Sequence, residues 1–281
     1  MIGGAPRISI VVPAFNHAQY IRECLDSVVN DLYPNKELIV IDDGSVDATA
    51  DIVHRWIEEH RHVICAKLIR QANKGVARTL NLGCEMSDGS LIALLGSDDC
   101  LLKGGLGKRA RYLCDHPSKL AVFGDCIVID ALGKKLHESG LSGLHNCRRE
   151  LLGTDDGLAK EIVYHWSVSG PVLMFRRELL TLIGGFDVQR RVEDWDFYLR
   201  MIAVQALGFL DHPVAAYRVH GKNFSQTRSS FARVHVELLS TAVRRFGLFH
   251  GQLRRLMLKR MLVLCWLLGK NYWRGGKRDV G

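Results

Sequence analysis

Five consecutive apolar residues, Leu91 to Leu95, stop at Gly96-Ser97 and hand over to two adjacent carboxylates, Asp98 and Asp99. A run with no polar face reads as a strand buried on both sides, and strands of that kind belong to parallel sheets covered by helices. Other runs upstream share the design. Ile8 to Val12 breaks at Pro13 and turns through Ala14-Phe15-Asn16-His17 into a helical stretch, Tyr20 to Asn30. Lys36 to Ile41 ends on Asp42-Asp43-Gly44-Ser45 and precedes a helix from about Asp47 to His60. Val63 to Ile69 leads through Gln71-Ala72-Asn73-Lys74-Gly75 into a helix carrying Arg78 and Asn81. This alternation predicts an α/β fold built on a parallel, right-handed, doubly wound sheet. Ligands bind such sheets at the carboxyl edge, where the acidic turns lie. Two neighbouring carboxylates repel, at a cost that a divalent cation or a pairing base would relieve, although an isolated Ser-Asp-Asp is more often a helix cap.

Downstream the pattern loosens. A helix is expected from about Gly105 to Asp115, then a strand-like run from Ala121 to Asp130, whereas Gly133 to Gly157 is weakly patterned and reads as loops with one short helix. Ser169-Gly170-Pro171 introduces a strand at Val172 to Phe175, and Ile183-Gly184-Gly185-Phe186-Asp187 follows. In Glu193-Asp194-Trp195-Asp196-Phe197-Tyr198-Leu199-Arg200 the apolar residues recur at helical spacing, so Glu193 and Asp194 open a helix, where acids also complement the dipole. Asp211 to Val219 reads as a last strand, ending in His220-Gly221-Lys222-Asn223-Phe224-Ser225. From Phe231 onward long basic helices are expected, with Leu253, Leu256, Met257, Met261, Leu264, Cys265 and Leu268 on one face. That face either packs on the domain or lies on an anionic membrane surface, an option that Trp273 and the Lys270 to Arg278 stretch would suit.

Composition narrows the partners. A net charge of +8 favours anions, and no GxGxxG or GxxxxGK[ST] sequence is present to hold phosphates through backbone amides. Phosphate charge must then be met another way, and a metal on Asp98 and Asp99 with basic side chains would do it. The eight cysteines form no CxxC pair and resemble reduced core residues. No secretory signal and no membrane-length apolar run is visible, so a cytoplasmic protein is expected, with peripheral contact to the inner membrane face as an option. Charge alone suggests nucleic acid, but no nucleic-acid motif supports it.

Taken in order, ISIVVPAFN, LIVIDDGS, ANKG with Arg78, LLGSDD, GGFD, EDWDFYLR and YRVHGKNFS resemble the inverting, nucleotide-sugar-dependent glycosyltransferases of family 2, across residues 7 to 226. The resemblance implies a GT-A fold, a Rossmann-like, mainly parallel sheet flanked by helices. It implies a domain at 1–226, nucleotide-binding over about 7–100 and acceptor-binding over about 101–226, followed by a basic helical extension at 227–281. It places Pro13, Ala14, Asn16, Asp43, Arg78 and Asp98 at a nucleotide, expected to be that of a UDP-sugar. Asp98 and Asp99 stand for the DxD-type element, with Mn²⁺ or Mg²⁺ on Asp99, Asp98 and His220. The commonest pattern has Asp in the place of Gly96, which leaves the split of roles between Asp98 and Asp99 open. Asp194 is implied as catalytic base with Glu193 as helper or substitute, and Phe186 and Trp195 as sugar or acceptor contacts, although Trp195 is equally suited to the core.

The processive QxxRW-like element is absent, so the expectation is addition of one sugar to a glycan, lipid-linked or protein acceptor in polysaccharide or other glycan synthesis. A sugar-phosphate nucleotidyltransferase and a degenerate nucleotide-binding protein are the alternatives. Against the first, Pro13-Ala14-Phe15-Asn16 is not the Gly- and basic-rich loop that chemistry uses. Against the second, Asp43, Asp98, Asp99 and Asp194 are all retained.

Overall fold

The apolar runs identified in the sequence become the inner strands of one sheet. The computed structural model describes residues 4–221, except 167, 169 and 191, and residues 231–275; Lys222 to Ser225 of the last motif and the 226/227 boundary lie outside them. The first half alternates as β1 (Ile8–Ala14), α1 (Ile21–Asn30), β2 (Lys36–Asp42), α2 (Thr49–His60), β3 (Cys65–Arg70), α3 (Val76–Glu85) and β4 (Leu91–Leu94). The second half contains β5 (Cys100–Leu101), α4 (Gly105–Asp115), β6 (Ala121–Ile129), β7 (Lys135–His137), α5 (Gly140–Gly143), α6 (Asp155–His165), β8 (Leu173–Arg176), α7 (Glu178–Ile183), α8 (Glu193–Ala203) and β9 (Leu207–Arg218). Two helices, α9 (Phe231–Arg245) and α10 (Gly251–Gly275), close the described chain.

The sheet order is β3-β2-β1-β4-β8-β6-β9-β5, with β7 beside β6. β3, β2, β1 and β4 are mutually parallel. The sheet is mainly parallel, as expected, but mixed: β8 runs antiparallel to both β4 and β6, and β5 antiparallel to β9. Pro13 does not break β1 either. It pairs with Ile41 near the end of the strand, where the lost donor matters least. The weakly patterned segment runs into the start of α6, capped by the Thr154 hydroxyl, which accepts from the Gly157 amide, with Asp155 and Asp156 in the first turn. The sequence did carry that signal, a capping residue followed by acids.

One face of the sheet buries Ile10, Val12, Leu25, Val53 and Trp56 under α1, α2 and α4. The other buries Phe175, Trp195, Phe197 and Tyr198 under α3, α6, α8 and the two C-terminal helices. Met257 and Leu264 are fully buried there, and Leu253, Leu256 and Met261 pack beside them. The predicted apolar face of α10 is thus a packing face, except that Cys265 is exposed. A charge cluster fastens the same helices. Buried Asp196, on α8, accepts from Arg200 at 2.9 Å and from Arg245, at the end of α9, at 2.6 Å, and Arg245 also reaches Asp187 at 3.1 Å. Removing one partner of a buried ion pair strands the other. Arg245→Met should lower unfolding stability by roughly 2 kcal/mol, because Arg200 still faces the carboxylate. Chemical denaturation of the variant measures it.

Candidate functional site

Strand direction brings the candidate residues to one edge. β1, β2 and β4 are parallel, so Asn16 and His17, Asp43 and Asp98 all follow carboxyl ends on the same side. β6 and β9 are parallel to each other and, through antiparallel β8, point the same way as β4. β9 therefore delivers His220 to that edge. Helix α8 ends just before β9 begins at the opposite edge, so its first turn, with Glu193 and Asp194, also stands at the carboxyl edge.

Asp98 is the meeting point. Its Oδ2 lies 2.9 Å from His220 Nε2 and its Oδ1 3.8 Å from His17 Nδ1, which is also 2.7 Å from the Ser97 hydroxyl. One ligand atom from each of His17, Asp98 and His220 falls within 4.8 Å of the others. A carboxylate with two imidazoles suits a first-row divalent metal such as Mn²⁺, and the separations fit a shared ion after a small inward movement. His17 was not singled out in the sequence; a histidine just after a strand end, aligned with a second acidic turn, was the available signal. Tyr20 stacks on His220, with centroids 5.0 Å apart.

Asp99, also expected at the metal, is buried, and its Oδ1 accepts from the Arg218 amide at 2.8 Å. Burial and neighbouring Asp98 push its carboxyl well above the usual range. The Arg218 guanidinium, itself buried, donates from Nε to the Asp98 carbonyl at 2.7 Å and from Nη2 to Glu23 at 2.6 Å. A Cβ at Gly96 would sit 2.4 Å from Asp99 Oδ2, so a larger residue there requires the Asp99 carboxylate to shift.

Among the expected nucleotide contacts, Asp43 shapes the loop after β3. Its carboxylate accepts from Gln71 Nε2 and the Lys74 amide, each at 2.8 Å, and from the Gly75 amide at 2.9 Å. Asn16, at a positive φ of 54°, joins the first two turns: its amide donates to the Ser45 hydroxyl and its Oδ1 accepts from the Val46 amide. Pro13 is half-buried at the end of β1. Ala14 is buried, and its carbonyl accepts from the Asp43 amide. Arg78 stands exposed on α3.

Asp194 keeps partial exposure at the start of α8, as a proton acceptor must. Its Oδ1 accepts from the Trp195 amide at 2.7 Å and its Oδ2 from the Trp166 indole at 3.2 Å, a contact the sequence does not reveal because it joins residues 28 apart. Burial raises its carboxyl to about 6. Burial and the neighbouring Asp194 charge raise Glu193 to about 8, and Glu193 Oε2 has no hydrogen-bond partner within the protein. Two carboxyls this close release their protons as a pair. Phe186 and Trp195 both lie in the core beneath this turn. Phe186 is buried and stacks on Phe197, and fully buried Trp195 donates to the Ile162 carbonyl.

Residues 9–180 match the model of the family described as glycosyl transferase family 2. The PGL/p-HBAD biosynthesis glycosyltransferase of Mycobacterium tuberculosis is 28% identical over 256 residues, covering 86% of this chain and 91% of that protein. In structure, the chain resembles the mannosyltransferase PcManGT of Pyrobaculum calidifontis, solved with GDP-Man and Mn²⁺, with a TM-score of 0.70, 20% identity, and coverage of 98% of this chain and 76% of that one. It also resembles S. aureus TarS, with a TM-score of 0.65, 19% identity, and coverage of 90% and 71%.

The acidic pair has a consequence for stability. A carboxyl raised from 4.5 to about 8 on folding holds its proton in the native state after the unfolded chain has released it, so stability falls as pH rises through that interval and levels off above it. Glu193→Gln lacks this loss. Its melting temperature should match the wild type near pH 5 and exceed it by several degrees near pH 8, as read by thermal denaturation across pH.

Proposed function

The chain belongs to glycosyl transferase family 2, and from that premise we propose that it transfers one sugar from a nucleotide sugar to an acceptor hydroxyl with inversion at the anomeric carbon. The observation carrying this reading is Asp194: a partly exposed carboxylate, fixed by two N–H donors, at the sheet edge that also carries Asp98. With its carboxyl near 6, Asp194 is largely ionised at neutral pH. It takes the acceptor proton as the hydroxyl oxygen bonds to the anomeric carbon, while the bond to the diphosphate breaks on the opposite face and its electron pair leaves with the phosphate oxygen. Glu193, raised to about 8, remains protonated at neutral pH and can donate a hydrogen bond to the acceptor.

Asp98, His220 and His17 would hold the divalent cation, and the donor set favours Mn²⁺ over Mg²⁺. The chemistry a bound cation supplies is uptake of the charge that develops on the departing diphosphate. The Asp43-bound loop and the Asn16 turn frame the nucleoside pocket. UDP-GlcNAc on TarS supports a uridine donor, and GDP-Man with Mn²⁺ on PcManGT supports the cation and makes guanosine the second choice.

The reading is tested by release of nucleoside diphosphate from UDP-GlcNAc, UDP-glucose and GDP-mannose, alongside calorimetric binding of each nucleotide with Mn²⁺ and with EDTA. One nucleotide should bind with the metal and at least about tenfold more weakly without it. Asp194→Asn should keep that binding and lose about 10²–10⁴ in turnover; turnover like the wild type would remove Asp194 as base. Asp98→Ala should abolish the effect of Mn²⁺ on binding, whereas Asp99→Ala should act through stability. Wild-type activity should rise as pH passes through about 6, where Asp194 ionises.

A further inference from the structure

Helix α10 carries two apolar stripes, and only one faces the domain. Met257 and Leu264 are fully buried, so the helix is held in place along that side. On its outward side Leu258, Leu262 and Trp266, four residues apart, are 45%, 70% and 62% exposed, and Val263 lies at the margin. These three side chains stack along about 12 Å of helix. Exposed Arg255, Lys259 and Lys270 border the stripe, and Lys270 Nζ sits 4.9 Å from the centre of the Trp266 ring. The helix sequence contains six cationic residues and no acidic one. None of the described helices is long and apolar enough to cross a membrane.

We propose that this outward face of α10 docks the protein onto an anionic lipid bilayer, lying in the interface plane. The apolar stripe enters the acyl boundary, Trp266 sits at headgroup depth, and the cations meet the lipid phosphates. Each Lys or Arg at an anionic surface strengthens binding by roughly fivefold, so the charge and the stripe act together. The same cations oppose a second copy of this chain as the occupant, since two identical basic faces would repel. The buried stripe keeps α10 folded and oriented before it meets the lipid, so docking is a rigid-body event. It also fixes what docking presents, because α10 packs on α6, and the residue after α6, Trp166, donates to Asp194. Lipid binding itself does not rest on the transferase reading.

The test is flotation of the full chain with vesicles of phosphatidylcholine alone and with about one third phosphatidylglycerol. Wild type should float with the anionic vesicles at low salt, release as salt is raised, and remain unbound with phosphatidylcholine. The Leu262→Glu, Trp266→Glu variant should lose at least about tenfold in the bound fraction with an unchanged melting temperature, since both side chains are exposed. Three results would overturn the proposal: no flotation of wild type with anionic vesicles, flotation of the variant like wild type, or a wild-type dimer in sedimentation equilibrium that the variant splits. Nucleotide binding measured on the same preparations is independent, so a failed transferase reading is told apart from failed docking.

Discussion

The site depends on one buried guanidinium. Arg218 lies at the end of β9 and reaches the acidic turn, α1 and the hairpin loop before β7 at once, through the Asp98 carbonyl, Glu23 and the Asp130 carbonyl. Its own amide holds Asp99. A buried cation is tolerated only when its donors are met, and here a carboxylate and main-chain oxygens meet them while Tyr20 covers one face at 5.0 Å. The result is a division of labour within one dipeptide. Asp99 is drawn inward as structure, which leaves Asp98 aimed at the histidines.

A similar division appears at the other acidic pair. Asp194 is fixed by a backbone amide and by an indole from a separate element, whereas burial and the Asp194 charge beside it raise the Glu193 carboxyl. Asp196, two residues on, turns to the opposite side of the helix and is consumed by Arg200 and Arg245. Three acids in one helical turn thus have three fates, set by which face each occupies.

What the sequence made legible follows from periodicity. The buried strands β1, β2 and β4 and helices α3, α4 and α8 were readable because uninterrupted apolar runs and helical spacing are local signals. The acidic residues at their ends could be placed for the same reason. What could not be read depends on contacts between distant segments: the reversal of β8, the inward turn of Asp99, and the indole of Trp166 on Asp194. The burial of Phe186 and Trp195 is illegible for a related reason, since an aromatic beside a motif is indistinguishable by sequence from one beneath it. The second stripe of α10 is also hard to read from sequence, because a helix apolar on two sides shows no single amphipathic face.

The position of β9 also bears on how the protein comes to be folded. Asp98 and His220 are separated by 122 residues, and the strand that joins them is inserted between β6 and β5. During synthesis the parallel strands β1 to β4 can emerge and pair long before β9 exists. The acidic turn then waits, without Arg218 beneath it or His220 beside it, until nearly all of the domain has left the ribosome. Closure of so long a loop is entropically slow, so completion of the site is a late event in folding and coincides with closure of the sheet.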